Sequence, residues 1–267
     1  MKFFDGLFQI KEDDYYGVSG LNSELNCIYI YNSFLKYNRG MLVVANSLYE
    51  ANLLYSKLSN YTNKVLFFPM DDFITSEAIA ISPEFKSERI HTLNTLVNDN
   101  NYIVITNLMG LLRYLPNKDV WKKHIIHLEK GTNIERDYLI NQLFEMGYER
   151  ESIVSETGKL GVRGYVLDVF PIGNDNPVRI EFWGDEIDSI KTFDLESQLS
   201  KEDIHSIDIY PYTEFLLEGD SRDIDKKQKY LKHYAKEISS LKDYVGGFKV
   251  FYYDYNQIED GYRMLRE

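Results

Sequence analysis

Three short, almost wholly apolar runs constrain this chain most: Met41–Ala45 (MLVVA), Val65–Phe68 (VLFF) and Tyr102–Thr106 (YIVIT). A strand with one face in water alternates apolar with polar residues. A run without alternation must be covered on both faces, as in a parallel sheet. The segments between the runs supply that cover. Asn22 to Tyr37 reads as a helix, Leu48 to Leu58 carries Leu48, Ala51, Leu54, Tyr55 and Leu58 at helical spacing, and Glu84 to Val97 keeps Ile90, Leu93 and Val97 on one face. A short helix through Leu111 and Leu112 follows the third run. The expected class is α/β, with a parallel sheet covered on both faces.

After Pro116 the pattern changes. His124–Leu128 is strand-like, Ile134 to Met146 reads as a helix closed by Gly147, and from Ile153 onward strands and turns dominate. Near Tyr210-Pro211 the first pattern returns. Asp223 to Leu241 is expected to form a charged helix, Gly246-Gly247 a break, Phe248–Tyr252 a strand and Gln257 to Leu265 a last helix. The simplest organisation is a discontinuous α/β domain, residues 1–116 and 209–267, interrupted by an inserted α+β domain at 117–208 built on an antiparallel sheet.

The 267 residues, 44% of them hydrophobic, are enough for each domain to bury a core. The net charge of -12 argues against a broad basic face for nucleic acid. A single cysteine, Cys27, excludes an internal disulfide and fits a reducing cytosol. The start, MKFFDGLFQI, carries Asp5 and runs into KEDD, which is no secretory signal. No apolar run approaches the ~20 residues that a membrane helix needs. A cytoplasmic location away from membranes is expected.

Gly17-Val18-Ser19-Gly20-Leu21-Asn22-Ser23-Glu24 lies just before the first helix, where a nucleotide-binding domain keeps its phosphate loop. Such a loop needs a second glycine so that the backbone can wrap the phosphates, a lysine for the terminal phosphates and a hydroxyl for magnesium. Those three places hold Asn22, Ser23 and Glu24. The lysine is missing, and the Glu24 carboxylate would repel phosphate. Gly17 and Gly20 then form a plain turn, with Asn22 or Ser23 capping the helix. No cofactor and no metal are expected. His124 and His127, three apart on the expected strand, would face opposite ways. Asp71-Asp72 reads as a solvated acidic turn, and Ser155, Ser189 and Ser197 lie in no nucleophile motif. No catalytic residues are assigned.

The inserted domain offers a different kind of chemistry. Along Val178–Trp183, Val178, Ile180 and Phe182 share the face that must pack inward, while Arg179, Glu181 and Trp183 share the other. Gly184-Asp185 is a two-residue turn, and Glu186–Phe193 returns antiparallel. Tyr165–Phe170 is the preceding strand, with Arg163 leading into it. Arg179 and Trp183 are about 13 Å apart along one strand and both project to the solvent side. Tryptophan and arginine are the residues most enriched at interface hot spots. On the residues alone two roles stay open. Arg179 either offers its fork to a partner carboxylate or pairs with Glu181 or a neighbouring strand; Trp183 either anchors a partner or folds over a core edge.

The stretch GVRGYVLDVFP, continued by NPVRIEFWGDEIDSIKTFD, resembles the motif shared by UvrB and the transcription-repair coupling factor (Mfd) family. The likeness extends to FFPMDDFITSEAIAISPEFKSERIHTLNTL and VWKKHIIHLEKGTNIERDYLINQLFEMGYER. UvrB itself would keep an intact Gly-Lys-Thr loop, and a long DNA-probing hairpin for which Phe73–Ser87 is too short. Both departures resemble the coupling-factor branch, whose amino-terminal UvrB-like module is a RecA-like parallel-sheet domain that has lost nucleotide binding. The resemblance implies that the inserted domain recruits UvrA, the damage-recognition ATPase of nucleotide excision repair. The family's contact positions fall on Arg163, Arg179 and Trp183; the counterpart of Trp183 is commonly Phe. It further implies a longer parent that engages RNA polymerase and translocates on DNA with ATP, and whose carboxy-terminal domain masks the UvrA face until the polymerase is engaged. Two rival functions are a nucleotide-dependent α/β enzyme and a DNA-binding UvrB-like repair protein.

Overall fold

The computed structural model describes residues 8, 10, 16–72, 82–216 and 238–266. The chain divides into two compact units, one formed by 1–113 with 240–267 and the other by 114–239. In the first, α1 (Ser23–Tyr37), β1 (Met41–Ala45), α2 (Leu48–Leu58), β2 (Val65–Phe68), α3 (Pro83–Leu96), β3 (Ile103–Asn107) and α4 (Leu108–Leu111) follow one another. The second opens with β4 (Leu115–Pro116), α5 (Lys118–Lys123), β5 (Ile126–Glu129), α6 (Arg136–Glu145) and β6 (Glu149–Arg150). It continues through β7 (Lys159–Arg163), β8 (Val166–Val169), β9 (Val178–Trp183), β10 (Glu186–Phe193), β11 (Ser200–Ile204), β12 (Ser206–Ile209) and β13 (Ile238–Ser239). The chain returns to the first unit as α7 (Leu241–Tyr244), β14 (Lys249–Tyr252) and α8 (Tyr255–Arg266).

The first unit holds a four-stranded sheet, ordered β14-β1-β3-β2, in which every pairing is parallel. All residues of β1, β2 and β3 are buried, as their unbroken apolar runs require. Met41, Val43 and Ala45, with Val65, Phe67, Ile103 and Ile105, pack on one face against Cys27, Ile30 and Phe34 of α1 and Ala51, Leu54 and Leu58 of α2. Sequence signals mark the helix ends. Asn22 caps α1 by accepting from the Leu25 amide, and Ser47 with Glu50 forms a capping box at the start of α2.

The second unit is built on a six-stranded sheet, ordered β11-β10-β9-β8-β7-β6, antiparallel except where β6 meets β7. Alternation decides its faces. Leu160, Leu167, Val169, Val178, Ile180, Phe182, Ile187 and Ile190 turn inward onto Leu139 and Leu143 of α6 and onto Leu128, Ile207 and Ile209 of the β5–β12 ribbon. The molecule is thus an α/β chain carrying an antiparallel module, as expected.

Several local expectations are corrected. His124 lies on no strand: it ends α5, with its Nδ1 2.7 Å from the Val120 carbonyl oxygen. α5 itself is too short to show a period. Arg163 does not lead into β8 but closes a strand of its own, β7, whose two nearby glycines had disguised it. The return to the first unit comes later than Tyr210-Pro211, because Ile207 and Ile209 belong to the second core and the Tyr212 amide donates to Met146 at 2.7 Å. Of the helix expected over Asp223 to Leu241, residues 223–237 lie outside the described residues. Ile238–Ser239 is a strand paired with Leu115–Pro116, and Leu241 opens α7. Residues 73–81 of the connection judged too short for a hairpin, and most of residues 1–15, also lie outside the described residues.

Candidate protein-docking face

The outer face of the six-stranded sheet is assembled by register. β9 presents Arg179, Glu181 and Trp183, while Val178, Ile180 and Phe182 are buried beneath. Across β8, Asp168 stands opposite Arg179 and Val166 opposite Glu181. β7 sets Gly161 opposite Asp168 and Arg163 opposite Val166, and β10 sets Lys191 opposite Arg179 and Ser189 opposite Glu181. Cross-strand neighbours share a face, so all of these groups meet on one surface.

Asp168 organises that surface. Its side chain is only 2% exposed, and it accepts from both arginines. Arg179 approaches side-on, Nε to Oδ1 at 2.7 Å and Nη2 to Oδ2 at 2.9 Å, while Arg163 Nη2 reaches Oδ2 at 2.5 Å. Arg179 also donates through Nη1 to the Gln198 carbonyl at 3.1 Å and lies 4.7 Å from the centre of the Phe193 ring. Phe193 is itself buried with Val154 and Phe170. The hydrogen bond to Asp168 raises the Arg179 pKa above its ordinary value. Of the roles left open for Arg179, pairing with a neighbouring strand is the one the geometry shows: its side chain is 15% exposed and it braces β8. Arg163, at 51%, keeps an open edge.

Trp183 does not join this cluster. It ends β9 beside the Gly184-Asp185 turn and is 81% exposed, with no fold over a core edge. Between the two, Glu181 accepts from Ser189 Oγ at 2.5 Å and Lys191 Nζ at 2.9 Å. Those two donors, the hydroxyl first, hold its carboxyl below the usual range. Gly164, with φ of 57°, supplies the left-handed turn that carries Arg163 back into β8, and Arg136 at the start of α6 donates to the Gly164 carbonyl. Sequence reasoning missed Asp168 and Arg136. Asp168 had left a signal, as one acid on the outward phase of an apolar strand.

In the first unit the N-termini of α1 and α2 are capped by the chain's own side chains. At the degenerate loop, Asn22 caps α1, and Lys57 reaches from α2 to Ser23 Oγ at 2.8 Å and to Glu24 at 2.6 Å. A lysine is present there after all, but its charge is spent on Glu24. Gly20 has a φ of 80°, as a turn glycine should. At the carboxyl ends of the strands, where parallel sheets place ligands, Asp72 accepts from the Leu48 amide at 2.9 and 3.0 Å and from Asn107 Nδ2 at 2.8 Å. Asp72 is exposed in a bend, as a solvated acidic turn should be, and it also tethers the start of α2. Among the described residues no three His, Cys, Asp or Glu are grouped to hold a metal, and no helix is long and apolar enough to cross a membrane.

A family model described as the UvrB interaction domain matches residues 126–215, a span that contains the whole docking face. The transcription-repair-coupling factor of Staphylococcus epidermidis (strain RP62A) is 32% identical over 243 residues, which are 88% of this chain and 21% of that protein. The protein of the same name from Staphylococcus haemolyticus is 35% identical over 215 residues, 78% of this chain and 18% of its own length. That from Staphylococcus aureus (strain MRSA252) is 35% identical over 202 residues, 75% of this chain and 17% of its own length. The chain spans about a fifth of the length of the curated relatives it matches. It belongs to the transcription-repair-coupling factor family, with a UvrB interaction domain at residues 126–215.

Proposed function

We propose that this chain is a non-catalytic docking module that recruits UvrA for transcription-coupled nucleotide excision repair. Arg163 and Trp183 make the direct contacts, and Arg179 holds the surface in shape. The observation that carries this reading is the outer face of the sheet. Two guanidiniums outnumber the one carboxylate they share, and a tryptophan stands bare farther along β9, past Glu181. Such a face suits a partner that brings a carboxylate to Arg163 and an apolar pocket to Trp183. In the longer parent, RNA polymerase and DNA are the further partners, and a carboxy-terminal domain masks this face until the polymerase is engaged. The parent's ATP-driven translocation resides outside this chain, in the cytoplasm.

Titration of the purified chain with UvrA tests the reading. Arg163→Glu is expected to abolish binding while circular dichroism stays native. Trp183→Ala should weaken binding by ~2 kcal/mol and Trp183→Phe far less, since the ring face is kept. Native affinity in both Arg163→Glu and Trp183→Ala would remove the assigned face. The nucleotide-enzyme alternative requires saturable ATP binding, and the Glu24–Lys57 pair and the Asp72 tether argue against it. The DNA-binding alternative requires a salt-sensitive affinity for duplex, which the net charge of -12 disfavours.

A further inference from the structure

Resting on that docking reading, we infer that Asp168 is the positioning residue of the face: a buried carboxylate that aims the Arg163 fork at the partner. Arg163 stands at the end of β7, half exposed, on a long side chain that would otherwise sample many rotamers. One of its terminal nitrogens is held at 2.5 Å by Asp168 Oδ2. A guanidinium carries five donors in a fixed plane, so tying one nitrogen at the far end of the side chain narrows the directions that the open edge can take. Asp168 can act as such an anchor because it is itself immobile. It lies on a strand between β7 and β9, is buried, and is clasped side-on by Arg179, which the Gln198 carbonyl and the Phe193 ring hold in turn. Arg136 secures the same end of β7 through the Gly164 carbonyl. The arrangement prepays the ordering of Arg163, the usual route by which a preorganised side chain gains affinity. In this scheme Arg179 influences binding through Asp168.

The test is a double-mutant cycle on the whole chain, with UvrA affinity read by calorimetry and folding by circular dichroism. Asp168→Asn preserves shape and removes the charge. It is expected to weaken binding about tenfold in the native background and to have no further effect in an Arg163→Ala background. Equal losses in both backgrounds, or no loss in either, overturn the inference and leave the docking face standing. A second arm keeps the question decidable should Asp168→Asn fail to fold. Arg163→Lys retains the charge without the fork and is expected to bind as weakly as Arg163→Ala. Native affinity in Arg163→Lys overturns the inference. Native affinity in Arg163→Ala overturns the inference, and native affinity in Trp183→Ala as well overturns the docking reading with it.

Discussion

Arg179 donates two hydrogen bonds to Asp168 and one to Gln198, so its removal leaves a buried carboxylate with the single Arg163 bond, whereas Arg163 can be removed with Asp168 still clasped side-on. Breaking a buried pair from one side costs ~3–5 kcal/mol, and trimming an exposed partner costs less than about 1 kcal/mol. Arg179→Ala should therefore lower the urea midpoint sharply and Arg163→Ala barely. Equal midpoints in the two variants would contradict the geometry. Alternation had placed Arg179 on the correct face, but its partner depends on which strand lies alongside, and that is set by the register of β8 against β9. Cys27 makes a separate prediction. Burial first, with the Lys57 charge opposing, pushes its thiol up to about 11. The unfolded thiol titrates near ~8.5, so between these values the folded state holds the proton more tightly and stability falls as pH rises. That part of the slope should vanish in Cys27→Ala. In the native state at pH 8 the thiol should resist Ellman's reagent until the protein unfolds.

The elements that were easiest to read are those whose burial is uniform. β1, β2 and β3 sit between layers, so every residue is apolar or internally bonded; the limits of β1 and β2 follow directly, and β3 runs one residue later than the apolar run because Asn107 is internally bonded. β7 was obscured because Gly161 and Gly164 look like a turn, although only Gly164 is in one: Gly161 lies within the strand opposite Asp168. α5 spans too few residues for a periodic signal. Asp72 shows why an acidic pair in a loop is ambiguous. Its role emerges only once β3 brings Asn107 beside it, 35 positions away. Asp72→Ala removes the acceptor of the Leu48 amide and of Asn107, and should cost ~1–2 kcal/mol in a thermal melt while leaving UvrA affinity native. A change in affinity without a change in melting would mean that the first unit contributes to docking.

At the scale of the whole molecule, each unit has a core of its own. One is centred on the parallel sheet under α1 and α2, the other on the antiparallel sheet under α6. The division into two was legible from the switch between unbroken and alternating strands. The second boundary was not, because Tyr210-Pro211 has the composition of a break while Ile207, Ile209 and Tyr212 are committed to the second core. Every group assigned to the docking face lies between Arg136 and Gln198, inside the second unit. A polypeptide of residues 114–239 should therefore melt cooperatively by itself, since its core requires no side chain from the first unit. It should also bind UvrA as tightly as the 267-residue chain, whereas residues 1–113 should not bind at all. Calorimetry on the two fragments checks this. Cooperative folding of 114–239 with weakened binding would place part of the docking surface on the α/β unit, and the net charge of that unit would become the next property to alter.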